Sequence, residues 1–210
     1  MAEVQRIRGD LTVEGSVAVV GLITGNMARP NLILETGIYS VPLVTLRVHD
    51  AIQTNLPGTG AVDDLGITSG TIGTAVPHLR TADLNGGAGN GSYYARFNFT
   101  LPAEYVAGQT ITLRVIGGML TSVAATSATV DAVAYLSAEN SLITGSDLCT
   151  TALISINSLT FANCDFTITP TGLVAGNTLD IRIVVAATSA TGSSHFASIA
   201  RIQMLLGIRG

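Results

Sequence analysis

The chain is predicted to be all-β: a jelly-roll or Greek-key β-sandwich preceded by an extended β arm. Three observations carry this expectation. Glycines recur every six residues near the start, at Gly9, Gly15 and Gly21. Between and after them Leu11, Val13, Val17, Val19 and Ile23 all fall on odd positions, the period of a strand with one buried face. From Thr36 onward, runs rich in Val, Ile, Thr, Phe and Tyr are separated by clusters of Gly, Pro, Asn and Ser, the alternation of strands and turns. Finally, one segment of the body occurs twice.

The arm is assigned to residues 1–29, where Asn26 and Arg29-Pro30 close the pattern, because proline is confined to strand edges and restrains its predecessor. Glycine at the start of each hexad lets the chain bend or lets another backbone approach. A lone strand is marginal in water, so the apolar stripe Leu11, Val13, Val17, Val19 and Ile23 needs neighbours. It is read as an assembly interface, with Gly9, Gly15 and Gly21 shaping the backbone. The sandwich is assigned to residues 36–210.

Within the sandwich the expected strands are 40–49, 92–100, 109–116, 129–137, 152–156, 165–169, 178–186 and 197–206. Residues 55–73 and 85–91 are expected to be long loops. Pro102 suits the first position of a short helical turn over 103–107. The repeat aligns Pro102, Val106, Ala107, Gly108, Thr110 and Arg114 with Pro170, Val174, Ala175, Gly176, Thr178 and Arg182. It predicts one strand–turn–strand unit used twice across a core, with the two arginines at equivalent places and pointing off the core.

Composition excludes several classes. Charged residues are 11% of the chain, against about 25% in ordinary domains. No apolar run reaches the roughly 18 residues a membrane-spanning helix needs, so no membrane partner is expected. Net charge is -4 with no basic run, and nucleic acid is not an expected partner. All ten cationic residues are arginine. Arginine is enriched at interfaces and lysine depleted, but a GC-rich genome gives the same bias, and both explanations stand. Tryptophan is absent and aromatics are 5%, which weighs against an aromatic sugar platform.

Candidate chemistry is sparse. His49, His78 and His195 are scattered without metal-ligand spacing. Ser193 and Ser194 precede His195, but no nucleophile elbow surrounds them, and a loop histidine is expected. Asp63-Asp64 and Asp83-Leu84-Asn85 lack the ligand series of a calcium loop and read as turn formers. Arg8-Gly9-Asp10 is explained by the glycine series. The sequons at Asn90 and Asn98 lack a secretory context. Cys149 and Cys164 are one pair in a chain of this size and are expected as free, reduced thiols. The opening Met1-Ala2-Glu3-Val4-Gln5 shows no signal-peptide pattern, which gives an expectation of synthesis in a cytoplasm. No catalytic residue, cofactor or metal is assigned, and the protein is not expected to be an enzyme.

The hexads Gly9–Gly25 resemble the N-terminal stretches of bacteriophage fibre and capsid-bound proteins. The body, through 101–115, 155–169 and 173–183, resembles jelly-roll head decoration (cement) proteins of phages. The resemblance implies a homotrimer on the capsid surface of a virion, whose partner is the major capsid protein and whose arms bridge neighbouring subunits. A tail-fibre or receptor- and glycan-binding module, acting through loops such as 85–91, is the alternative.

Overall fold

The computed structural model describes residues 35–84, 89–124, 126–137, 143–189 and 194–209. The chain divides into two units, Met1–Pro30 and Asn31–Gly210. The arm and its interface residues Leu11, Val13, Val17, Val19 and Ile23, with Gly9, Gly15 and Gly21, lie outside the described residues. The body is all-β, as expected. Its strands are β1 Glu35–Val41, β2 Gly66–Ile67, β3 Leu79–Arg80, β4 Gly89–Thr100, β5 Ile111–Met119 and β6 Ser127–Ser137. They continue with β7 Ile143–Thr144, β8 Ile154–Ser155, β9 Ala162–Ile168, β10 Thr178–Ser189 and β11 Ala197–Ile208. Among the described residues the single helical element is a 3₁₀ turn, Leu43–Thr45.

Two antiparallel sheets face each other. In the first, β11 is flanked by β5 on one edge and by β1 and the short β3 on the other; β9 lies outside β5 and β2 outside β3. In the second, β10 lies between β4 and β6, and β6 carries β7 and β8 along its outer edge. The order β1-β11-β5-β9 over β4-β10-β6-β8 is two interleaved Greek keys, the jelly-roll arrangement. Alternate residues of the long strands turn inward. Ile111, Leu113 and Val115 meet Ile181, Ile183 and Val185 in one core with Phe97, Phe166, Ile202 and Met204, all essentially inaccessible to water.

The repeated segment occupies equivalent places. The unit β4-β5-β6 maps onto β9-β10-β11: β5 pairs with β9 and β11, while β10 pairs with β4 and β6. The turns match as well. Tyr105 N donates to Pro102 O and Leu173 N to Pro170 O, each at 3.0 Å. Gln109 N donates to Val106 O and Asn177 N to Val174 O, each at 3.1 Å. Gly108 (φ 80°) and Gly176 (φ 86°) both take the left-handed conformation that closes the second turn. The expected helical turn over 103–107 is instead these two tight turns, with Tyr105 buried between them.

Three further expectations are corrected. The strand expected over 40–49 begins at Glu35 and stops at Val41, because Pro42 has no N–H for a ladder and leads into the 3₁₀ turn. The loop expected over 55–73 contains β2, where the chain passes so close to itself that a Cβ on Gly66 would lie 2.0 Å from the backbone of Thr59. The loop expected over 85–91 gives up residues 89–91 to β4.

Candidate functional site

Alternation gives the second sheet an outer face. On β4, Tyr93, Ala95 and Phe97 are buried, so Tyr94 and Arg96 face out. On β10, Ile181 and Ile183 face in and Asp180 and Arg182 face out; on β6, Ala132 and Ala134 face in and Val133 and Tyr135 out. Register lines these rows up: Arg96 stands across from Arg182 and Arg182 across from Val133, with Asn98, Asp180 and Tyr135 one step along. A cleft of about 170 Å³ opens here, lined by His49, Arg96, Val133, Tyr135, Asp180 and Arg182.

Its polar floor is a hydrogen-bonded ion pair. Arg96 forms a two-pronged pair with Asp180, Nε to Oδ1 at 2.7 Å and Nη2 to Oδ2, and its Nη1 donates to His49 O. The Asp180 side chain is 10% exposed and that of Arg96 30%. This hydrogen bond raises the Arg96 pKa above its ordinary value. Arg182 lies exposed with its guanidinium carbon 5.1 Å from the Tyr94 ring centroid, a cation–π distance.

His49 joins this face to a loop. Its ring is 4.5 Å from that of Tyr94. The turn Ala61–Asp64 is closed by two backbone hydrogen bonds and docked on β4 by Tyr94 N to Asp63 O (2.7 Å) and Leu65 N to Tyr94 O (2.9 Å). It carries Asp63 and Asp64 to the imidazole: Nε2 is 3.7 Å from Asp63 Oδ2 and Nδ1 is 3.5 Å from Asp64 Oδ1. These three residues are separated in sequence; Asp63 and Asp64 form a turn, as expected, and its docking on β4 brings them to His49.

The remaining expected residues lie elsewhere. His78 Nδ1 sits 3.1 Å from both Thr68 Oγ1 and Val76 O. His195 is buried, with Nδ1 2.8 Å from Ser122 Oγ. Asp83 accepts from Ser194 Oγ at 2.8 Å and from the His195 backbone N at 3.2 Å, so its carboxylate ties two chain segments together. Ser193 lies outside the described residues. Cys149 and Cys164 are free thiols, and burial pushes Cys149 up to about 11.

The first sheet presents a contrasting outer face. A cleft of about 330 Å³ there includes Arg114 and Asp165, which pair at 2.7 Å through both Nε and Nη2. The hydrogen bond from Arg114 holds the Asp165 carboxyl below the usual range. This arginine is neutralised by its cross-strand partner, whereas Arg182 is not.

No protein-family model matches the chain, and no curated protein matches it in sequence. Solved structures are similar in fold. A xylan-binding module, CBM15, is 15% identical with a TM-score of 0.45, covering 84% of this chain and 100% of that one. The CBM22-1 xylan-binding domain of Paenibacillus barcinonensis Xyn10C is 9% identical with a TM-score of 0.39, covering 70% and 83%. The structure of infectious bursal disease virus, Gx strain, is 9% identical with a TM-score of 0.39, covering 88% of this chain but 36% of that one. At these identities no residue role is carried across.

Proposed function

We propose that the body is a non-enzymatic binding module that takes a saccharide on the outer face of its five-stranded sheet. The observation that carries this reading is the cleft in which Tyr135, the Arg96–Asp180 pair and Arg182 converge. A sugar ring offers hydroxyls around its edge and an apolar C–H face. The guanidinium groups supply donors, the carboxylate acceptors, and the phenol an apolar surface with a polar tip. The Arg96–Asp180 pair holds its geometry without a ligand, so little ordering is lost on binding. In this reading the glycan lies on the sheet face, where the alternative from the sequence was the 85–91 loop. Calorimetric titration with soluble neutral hexaoses of xylose, glucose and mannose tests it. Binding of at least one, reduced about tenfold or more by Tyr135→Ala, is expected; no binding across the panel overturns the reading.

A second reading keeps the body as the knob of a homotrimeric capsid decoration protein on a virion surface, with the major capsid protein as partner. Its motive is the odd-position apolar stripe Leu11–Ile23 ahead of the sandwich. The two readings share a protein that works by occupying a surface, without a cofactor.

A further inference from the structure

We propose that His49, Asp63 and Asp64 form a binding site for a divalent transition-metal ion of the zinc type at the rim of the sheet face. The three side chains each offer a ligand atom within 4.8 Å of the others. His49 Nδ1 and Asp64 Oδ1 are shut off from water, yet neither has a hydrogen-bond partner. Buried polar atoms in that state cost free energy unless something satisfies them. Their separation of 3.5 Å is too long for a charge-assisted hydrogen bond, which closes to about 2.8 Å. It fits two ligands of one ion: atoms about 2.1 Å from a tetrahedral metal stand about 3.4 Å apart.

Backbone and ring contacts set the three side chains side by side. The Tyr94 ring backs the imidazole, and the Asp63 and Leu65 backbones are bonded to β4. Without an ion, two carboxylates crowd one imidazole; an ion of charge +2 would be neutralised by them. One nitrogen and two carboxylate oxygens suit zinc and its neighbours, whereas calcium wants six to eight oxygens. The ion sits between His49 Nδ1 and Asp64 Oδ1; Asp63 Oδ2, which lies nearer Nε2 at 3.7 Å, joins as third ligand by turning toward the Nδ1 side, which leaves a tetrahedral position free. The proposal does not depend on the saccharide reading.

The test uses the full chain with Zn²⁺, Co²⁺ or Ca²⁺ alone. Zn²⁺ is expected to bind one per chain and raise the melting temperature, and Ca²⁺ to do neither. Co²⁺ is expected to give the visible absorption of a low-coordinate nitrogen–oxygen site. His49→Ala and the near-isosteric Asp64→Asn should each weaken Zn²⁺ by at least about tenfold, while His78→Ala should not. Comparison of unliganded melting curves shows whether each variant is folded, and the Co²⁺ spectrum of the wild type reports on the site with no variant at all. Absence of stoichiometric binding, an octahedral Co²⁺ spectrum, or undiminished binding in folded Asp64→Asn would overturn the proposal.

Discussion

Arg96 on β4 and Arg182 on β10 stand directly opposite each other. Two like charges across a strand pair are unfavourable. They are accommodated by different means: Arg96 takes Asp180 along the diagonal, and Arg182 turns over the Tyr94 ring. On the equivalent strand pair of the first sheet, Arg114 faces Asp165 directly and the two neutralise each other. The two copies of the repeat share the arginine and the turns but not the cross-strand partner. The two outer faces therefore differ in charge while sharing a backbone.

This difference fixes the ranking of the two ion pairs. Asp180→Asn weakens the two-pronged pair in a nearly buried setting and should cost about 2–3 kcal/mol of unfolding free energy. Asp165→Asn acts on a pair whose carboxylate is 42% exposed and should cost below about 1 kcal/mol after screening. Urea denaturation of both variants checks the order. Asp165 has its pKa depressed when folded, so its small contribution is present above the unfolded value and is lost as pH falls through the folded one.

The matched turns predict matched costs. Gly108→Ala and Gly176→Ala place a side chain in open space but on a left-handed backbone. Each should destabilise by about 1 kcal/mol. Gly58→Ala, with open space and no positive φ, should be near neutral. Val62 runs the comparison in reverse: it is a β-branched residue at φ 54° and 95% exposed, so Val62→Gly should stabilise by up to about 1 kcal/mol. Unequal costs at Gly108 and Gly176 in denaturant melts would show that the turns are not energetically equivalent.

The long inner strands are legible because strand-forming runs and turn residues agree: the expected 109–116, 129–137, 178–186 and 197–206 lie within a few residues of β5, β6, β10 and β11. The apolar run through Ser40–His49 misleads, since Val41, Leu46 and Val48 are buried but belong to a strand and then a loop. Two-residue strands such as β2 and β3 carry no period to detect. The site was not legible. Tyr94, Arg96, Asp180 and Arg182 look like ordinary outward strand residues until register places them together. His49 meets Asp63 and Asp64 only because the Ala61–Asp64 turn docks on β4.

Thiol chemistry supplies another test. With Cys149 raised to about 11 by burial, almost no thiolate exists at neutral pH, and thiolate is the reactive form. Iodoacetamide should label the native protein slowly at pH 8 and add two labels quickly once it is unfolded in urea without reductant. The shift also links to stability. A raised folded pKa gives a contribution fully present below the unfolded value of 9.0, lost as pH rises from there to about 11. Urea midpoints should fall across that window and recover part of the loss in Cys149→Ser. A mass lower by two hydrogens with no labels would mean a disulfide.

The arm gives the prediction that separates the two functional readings. Residues 1–29 carry the stripe Leu11, Val13, Val17, Val19 and Ile23, and burial of five such side chains contributes on the order of 7–15 kcal/mol before ordering costs. Deleting 1–29 should leave a sandwich that unfolds cooperatively, because its core draws on strands from β1 onward. If the stripe holds copies together, the deletion should turn a trimer into a monomer in sedimentation. Val13→Asp with Val17→Asp should do the same, since each unpaired carboxylate in an apolar interface costs several kcal/mol. On a capsid, particles carrying the truncated chain should then burst at lower temperature or weaker osmotic shock than particles carrying the whole one. The saccharide reading makes the opposite assignment: truncation leaves oligosaccharide affinity per body unchanged, and Tyr135→Ala lowers it about tenfold or more with no change in oligomeric state. Particles equally robust without the protein but unable to adsorb to cells would sink the decoration reading and leave the sheet face as the functional surface.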